Sequence, residues 1–178
     1  MIGFPHVTSD GLYNSFMYYH KGNYQIYRKI NLFPPMNEAK VFQPGTALGI
    51  FETKFGKVGA AICYDLRFPV WCRNKGDYDC LIFVANWPEA RSDAWKSLLV
   101  ARAHENQCYV TGVNRTGTDG KGVAFSGDSA VFGPRGNLLC AIKPNEESVK
   151  TLTFSYNELA DFRNKFPVGL DADEFTIC

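Results

Sequence analysis

The chain has 178 residues, 46% of them hydrophobic, 15% aromatic and 21% charged, with a formal net charge of +1. That is the composition of one soluble globular domain with a sizeable core, and it leaves no electrostatic footprint for nucleic acid or an anionic membrane surface. No stretch approaches the roughly 20 apolar residues of a membrane span, and the opening Met1-Ile2-Gly3-Phe4-Pro5-His6 lacks the basic start and long apolar region of a signal peptide.

Residues 16–29 read as two strands around the turn Lys21-Gly22-Asn23, and residues 32–38 as loop, because Pro34 and Pro35 exclude a regular element. Residues 47–52 and 57–63 form a predicted hairpin around Lys54-Phe55-Gly56. A short helix is expected from Pro69 to a stop at Gly76. Residues 78–85 read as an apolar strand, broken only by Asp79, followed by the loop Asn86-Trp87-Pro88. Ser92 is the expected N-cap of the clearest helix, along which Ala94, Leu98 and Ala101 share a face. Residues 109–113 return as a strand. The glycine-rich loop 117–122 lacks the Gly-Lys-Ser/Thr ending of a phosphate-binding loop. Residues 129–132 and 138–142 pair around Pro134-Arg135-Gly136-Asn137. In 151–156 the alternation of Leu152, Phe154 and Tyr156 predicts a half-buried strand, with Asn157 capping a last short helix and an irregular tail over 167–178. Strands with interspersed helices predict a layered domain of the α/β or α+β kind.

The most informative stretch is Val58-Gly59-Ala60-Ala61-Ile62-Cys63-Tyr64-Asp65-Leu66-Arg67-Phe68-Pro69, an apolar strand that ends abruptly on a cysteine. A thiol at a strand-to-helix turn meets free backbone N–H groups that favour a thiolate. The six cysteines, Cys63, Cys72, Cys80, Cys108, Cys140 and Cys178, contain no C-x-x-C pair and match no zinc spacing. They read as reduced thiols of a cytoplasmic protein that needs no metal or cofactor; Cys63 alone stands out. Asp65 and Arg67 are expected to pair and brace the turn, Trp87 is a candidate pocket wall or core residue, and Arg102 with Glu105 a buried structural pair.

Two further groups give Cys63 its company. Tyr27-Arg28-Lys29-Ile30-Asn31-Leu32-Phe33 places Lys29 at a strand end, and Glu38 lies nine residues on. Here the chain resembles the nitrilase superfamily, the carbon–nitrogen hydrolases, most closely its amidase and omega-amidase branch. The lysine motif Tyr-x-Lys-x-x-Leu-Phe is matched around Lys29, and the nucleophile motif from Ile62 to Pro69. Asn86-Trp87-Pro88, Arg102-Ala103-His104-Glu105-Asn106, Gly112-Val113-Asn114-Arg115 and Phe125-Ser126-Gly127-Asp128-Ser129 follow in the family's order, so the similarity runs from about residue 1 to about residue 165.

The resemblance implies a four-layer αββα sandwich, commonly paired into a dimer, with Cys63 as nucleophile. It implies Lys29 and the backbone N–H of Tyr64 as the oxyanion site, and Glu38 as the group that positions lysine and substrate. A free thiol, with a pKa of about 8.5, is only a few per cent thiolate at neutral pH, and the ammonium is expected to lower that pKa. An amide would then be cleaved through a thioester, releasing ammonia or an amine and a carboxylic acid. The substrate is expected to be a small, non-peptide amide carrying a carboxylate, with Arg67, Arg91 and Arg115 as open candidates for its partner.

The family's general base is a first glutamate upstream of the lysine motif, and before Glu38 this chain has Asp10 as its single acidic residue. The expectation is an N-terminally incomplete domain, the C-terminal two-thirds of the family's fold across residues 1–178, joined by a second copy or a complementing chain. The competing readings are a catalytically weak or inactive member acting as a subunit or small-molecule binder, an acyltransferase using the same thioester, and a Cys–His peptidase using His6, His20 or His104.

Overall fold

A computed structural model describes residues 2–54, 56–173 and 176. The chain opens with three antiparallel strands, β1 (Ile2–Thr8), β2 (Gly11–His20) and β3 (Asn23–Arg28), in that spatial order. The β2–β3 turn holds Lys21 at φ 47° and Gly22 at φ 84°, two left-handed residues that match the twist of a tight hairpin. Strand β1 was not expected from the sequence. Gly3 and Pro5 hide its alternation, and Pro5 is tolerated because β1 is an edge strand.

The second sheet has six strands, β4 (Gly49–Thr53), β5 (Gly56–Ile62), β6 (Cys80–Ala85), β7 (Tyr109–Asn114), β10 (Ala130–Phe132) and β11 (Leu138–Ala141), in the order β11-β10-β7-β6-β5-β4. Strands β5, β6 and β7 run parallel and the outer pairs antiparallel. Strands β8 (Thr116–Thr118) and β9 (Ala124–Ser126) make a separate hairpin from the glycine-rich loop.

Parallel strands need a crossover, and helix α1 (Ser92–Asn106) supplies the one between β6 and β7. Its buried Trp95, Leu99 and Ala103 pack on Leu81, Phe83 and Val110. The helix lies close because β7 offers Gly112: a Cβ there would stand 2.4 Å from Leu99 and 2.7 Å from Trp95. On the opposite face Phe16 and Tyr27 of the first sheet pack against Phe51, Ala60 and Ile62. Helix α2 (Tyr156–Lys165) seats Leu159 between Cys80 and Tyr109. The described residues thus stack α1 on one face of the six-stranded sheet, with the three-stranded sheet and α2 on the other. Among them no helix is long and apolar enough to cross a membrane.

Four local expectations are corrected. Residues 69–76 are not helical; a 3-10 turn over Cys63–Arg67 comes first. Beyond it, Asn74 Oδ1 accepts from the backbone N–H groups of Gly76, Asp77 and Tyr78, a local alternative to helical bonding. Ser92 is the first residue of α1 rather than its cap, because its hydroxyl donates to Asp128 at 2.7 Å. Residues 151–155 form no strand: Phe154 stacks on Tyr109 at 4.3 Å, so the alternation reflects ring packing without a ladder. The cap of α2 is Ser155, whose hydroxyl accepts from Glu158 N, and not Asn157. Among the described residues of the tail, Val168–Asp171 form a 3-10 turn; Cys178 lies outside the described residues.

Candidate active site

Cys63 stands just past the carboxyl end of β5, where ligands bind in sheets with parallel strands. Its φ is 48°, a left-handed conformation that costs a non-glycine residue free energy unless the surroundings over-determine it. Asp65 is what over-determines it. Its Oδ2 accepts from Ile62 N at 2.9 Å and from the Tyr27 hydroxyl at 2.7 Å, and its Oδ1 from Asn31 N and Nδ2 at 2.9 and 3.0 Å. One buried carboxylate therefore joins the lysine segment, residues 27–31, to the cysteine turn. The expected Asp65–Arg67 pair does not form, because these four donors occupy Asp65 while the Arg67 guanidinium lies 5.0 Å over the Trp87 ring.

Lys29 follows β3 directly. Its N–H donates to Asn14 O and its carbonyl accepts from Gly45 N, both at 2.8 Å. The side chain is 3% exposed, and Nζ donates to Glu38 Oε2 at 2.6 Å. Glu38 is itself held: Oε2 also accepts from Phe33 N at 2.7 Å, and Oε1 from Asn14 Nδ2 at 2.8 Å. Sequence reasoning missed Asn14, a lone polar residue in β2 with no local signal. Its role arises from a carboxylate 24 residues away in sequence.

Lys29, Glu38, Asn14 and Cys63 line one cavity of about 530 Å³, closed on another side by Gly3, Phe4 and Pro5 of β1. Cys63 Sγ lies 3.9 Å from the Asn86 carbonyl. Burial pushes the Cys63 thiol up, outweighing the Lys29 ammonium that pulls it down, while Glu38 pushes it up further. The expected lowering is thus reversed, because burial of the thiol outweighs the ammonium beside it. Tyr64 is the second residue of the turn, where a backbone N–H has no partner within the helix.

The remaining motif residues brace these parts. Asn114, the last residue of β7, accepts from Trp87 N at 2.7 Å and donates to the carbonyls of Trp87 and Gly127. Asp128 accepts from Ser92, Ser126 and Lys96. Arg102 pairs with Glu105 at 2.6 Å, as expected, and donates to Leu66 O at 2.7 Å, tying α1 to the cysteine turn. Trp87 is both core and wall: it is 4% exposed yet lines a recess beside Cys63. Arg67 and Arg91 line that recess, whereas Arg115 stands over Phe125 and lines a different cavity. None of His6, His20 and His104 lines the spaces around Cys63, so the Cys–His arrangement is not formed. Among the described residues no group of three or more His, Cys, Asp or Glu side chains is placed to hold a metal.

The profile of the carbon–nitrogen hydrolase family matches residues 1–164. The chain is 41% identical over 171 residues to omega-amidase YafV of Escherichia coli, covering 96% of this chain and 67% of that protein. It is also 41% identical to the 2-oxoglutaramate amidase of Bacillus subtilis, over 80% of this chain and 55% of the relative. In structure it is similar to a CN-hydrolase superfamily protein of Xanthomonas campestris that carries an arsenic adduct in its active site. There the TM-score is 0.95 at 40% identity, covering 99% of this chain and 69% of that one. The chain thus spans about two thirds or less of the length of these relatives. A cysteine on a strained turn, a buried lysine–glutamate pair and these likenesses agree, and the chain belongs to the carbon–nitrogen hydrolase family, in its amidase branch.

Proposed function

We propose that this chain cleaves the C–N bond of a small, non-peptide amide through a thioester on Cys63. The observation that carries the reading is the buried Lys29–Glu38 pair opening onto the same cavity as Cys63. Sγ attacks the amide carbon as the thiol proton leaves to a base. The resulting oxyanion is received by Lys29 Nζ and the Tyr64 N–H, donors worth roughly 3 kcal/mol each at such a centre. Collapse of the adduct expels ammonia or an amine carrying a proton and leaves the acyl group on sulfur. Water then attacks the thioester, frees the carboxylic acid and returns the proton to the thiol.

Glu38 accepts three hydrogen bonds and so acts by holding Lys29 rather than by taking the thiol proton. The omega-amidase relatives favour an amide at the end of a short acid. Free thiols at Cys63, Cys72, Cys80, Cys108 and Cys140 fit a reducing, cytoplasmic setting. The β1 edge, where Ile2 and Val7 are exposed, is where a second copy or a complementing chain would pair.

A second reading, a member that binds small molecules without turning them over, is favoured by the raised Cys63 thiol. Amide hydrolysis by the purified protein, lost in Cys63→Ala and Lys29→Met, separates the two. Hydrolysis that survives Cys63→Ala sinks the thioester route, and no turnover of any amide leaves the binding reading standing.

A further inference from the structure

Asn14 lies in β2, the middle strand of the first sheet, opposite Pro5 of β1. It shares a face with Phe16, which packs on the six-stranded sheet, and it lines the cavity that holds Cys63. Two bonds tie it to the ion pair. Its carbonyl accepts from Lys29 N and its Nδ2 donates to Glu38 Oε1, both at 2.8 Å. An ionised carboxylate only accepts, so Asn14 has to present its Nδ2 to Glu38, and chemistry fixes which way the amide faces.

Glu38 needs such a hold. It opens a 3-10 turn directly after Asn37 at φ 54°, in a stretch where Met36 and Val41 are exposed. Polar contacts rather than packing therefore fix its carboxylate. Oε2 is shared between Lys29 Nζ at 2.6 Å and Phe33 N at 2.7 Å, while Oε1 is kept on Asn14. An ammonium carries more than one N–H donor, and among the described residues Glu38 Oε2 is the hydrogen-bond partner that Nζ has. A carboxylate free to turn would bring both oxygens onto Nζ, a contact that a buried site favours strongly. The N–H groups required by a developing oxyanion would then be occupied.

We propose that Asn14 is a positioning residue for Lys29. By holding Glu38 Oε1 it limits the carboxylate to a single contact with the ammonium, and so leaves the other Nζ–H groups directed at the reacting centre. The inference rests on the amide-hydrolysis reading and adds to it a residue that touches no substrate. Asn14 acts at one remove: it sets Glu38, and Glu38 sets how much of Lys29 the oxyanion meets.

The test is Asn14→Leu, which keeps the size of the side chain and removes the donor. It lowers kcat for a hydrolysed amide by roughly 10–100-fold, the range of one lost hydrogen bond to a charged group, with KM changed by less than about 3-fold. In a Glu38→Gln background the same substitution lowers kcat by less than about 3-fold, because the carboxylate it controls is gone. Asn14→Ser, whose hydroxyl is too short to reach Glu38, gives the same pattern where Asn14→Leu does not fold. An equal fall in both backgrounds, or a fall carried by KM, overturns the assignment. Alkylation of Cys63 by iodoacetamide reads the ammonium without any substrate. Lys29 pulls the thiol down, while burial, Glu38 and Asp65 push it up. Asn14→Leu lets Glu38 screen the ammonium, so it moves the alkylation midpoint up, and in the Glu38→Gln background it leaves the midpoint in place. A midpoint that Asn14→Leu does not move, or moves equally in both backgrounds, overturns the role of Asn14. The expected shift without turnover of any amide supports that role and overturns the hydrolysis reading instead.

Discussion

Cys63 and Cys80 mark opposite ends of the parallel strands, one just past the end of β5 and the other at the start of β6. Burial pushes both thiols up, that of Cys80 to about 12. What separates them is their company. Around Cys80 lie Tyr109 and Leu159, an apolar setting that keeps a thiol protonated and inert. Around Cys63 lie a left-handed backbone, a buried ammonium and a cavity. The charges differ in the same way: Arg163 and Asp79 at the β6 start are each 26% exposed, whereas Lys29 at the other end is 3% exposed. One end holds the fold together and the other holds reactive groups against their own preference.

The largest break in that comparison is expected in turnover. Cys63→Ala should lower kcat for a hydrolysed amide by about 10³-fold or more, whereas Cys80→Ala should leave kcat in place and cost about 1 kcal/mol of stability. Lys29→Met, which removes one oxyanion donor, should cost about 10²–10³-fold in kcat. In urea unfolding, Asp65→Ala strands the Tyr27 hydroxyl and the N–H groups of Asn31 and Ile62, and should cost about 3 kcal/mol. Asp79→Ala, which breaks a part-exposed pair, should cost less than about 1 kcal/mol. Equal costs would show that the two ends are not built differently.

The electrostatic contrast is sharper still in the pH dependence of thiol alkylation, because the thiolate is the species that reacts. Labelling of Cys63 should rise with pH through a midpoint above the ordinary thiol value. Lys29→Met should move that midpoint up, since the ammonium pulls it down, and Glu38→Gln should move it down, since the carboxylate pushes it up. Shifts of the same sign would dismiss this account of the pair. The smallest effect is at α2: Ser155→Ala should cost about 1 kcal/mol and Asn157→Ala almost nothing.

Elements with a strong local signal were legible in the chain. The strands β5, β6 and β7, helix α1 and the hairpin turn at Lys21-Gly22 follow from apolar runs, helical spacing and turn residues. Strand β1 was not legible, because Pro5 is a breaker everywhere except at an edge, and only pairing with β2 makes it one. Nor was the end of the cysteine turn: Asn74 replaces the expected helix with side-chain bonds that compete on equal terms with backbone ones. Of the site, Cys63, Lys29 and Glu38 were found by motif and lie on one cavity. Asn14 and the true partners of Asp65 were not, since their contacts join residues 24 and 34–38 apart.

By itself, then, the sequence determined which groups this protein has to work with: a cysteine at a strand end, a lysine and a glutamate in spaced motifs, and three candidate arginines. Tertiary structure alone decided what those groups are worth. It placed Arg67 and Arg91, but not Arg115, beside the thiol, and it set the direction of the Cys63 pKa against the simple expectation. The reason is physical. Secondary structure depends on neighbours along the chain, whereas the free energy of a charge depends on burial and on distances to groups brought near only by the fold.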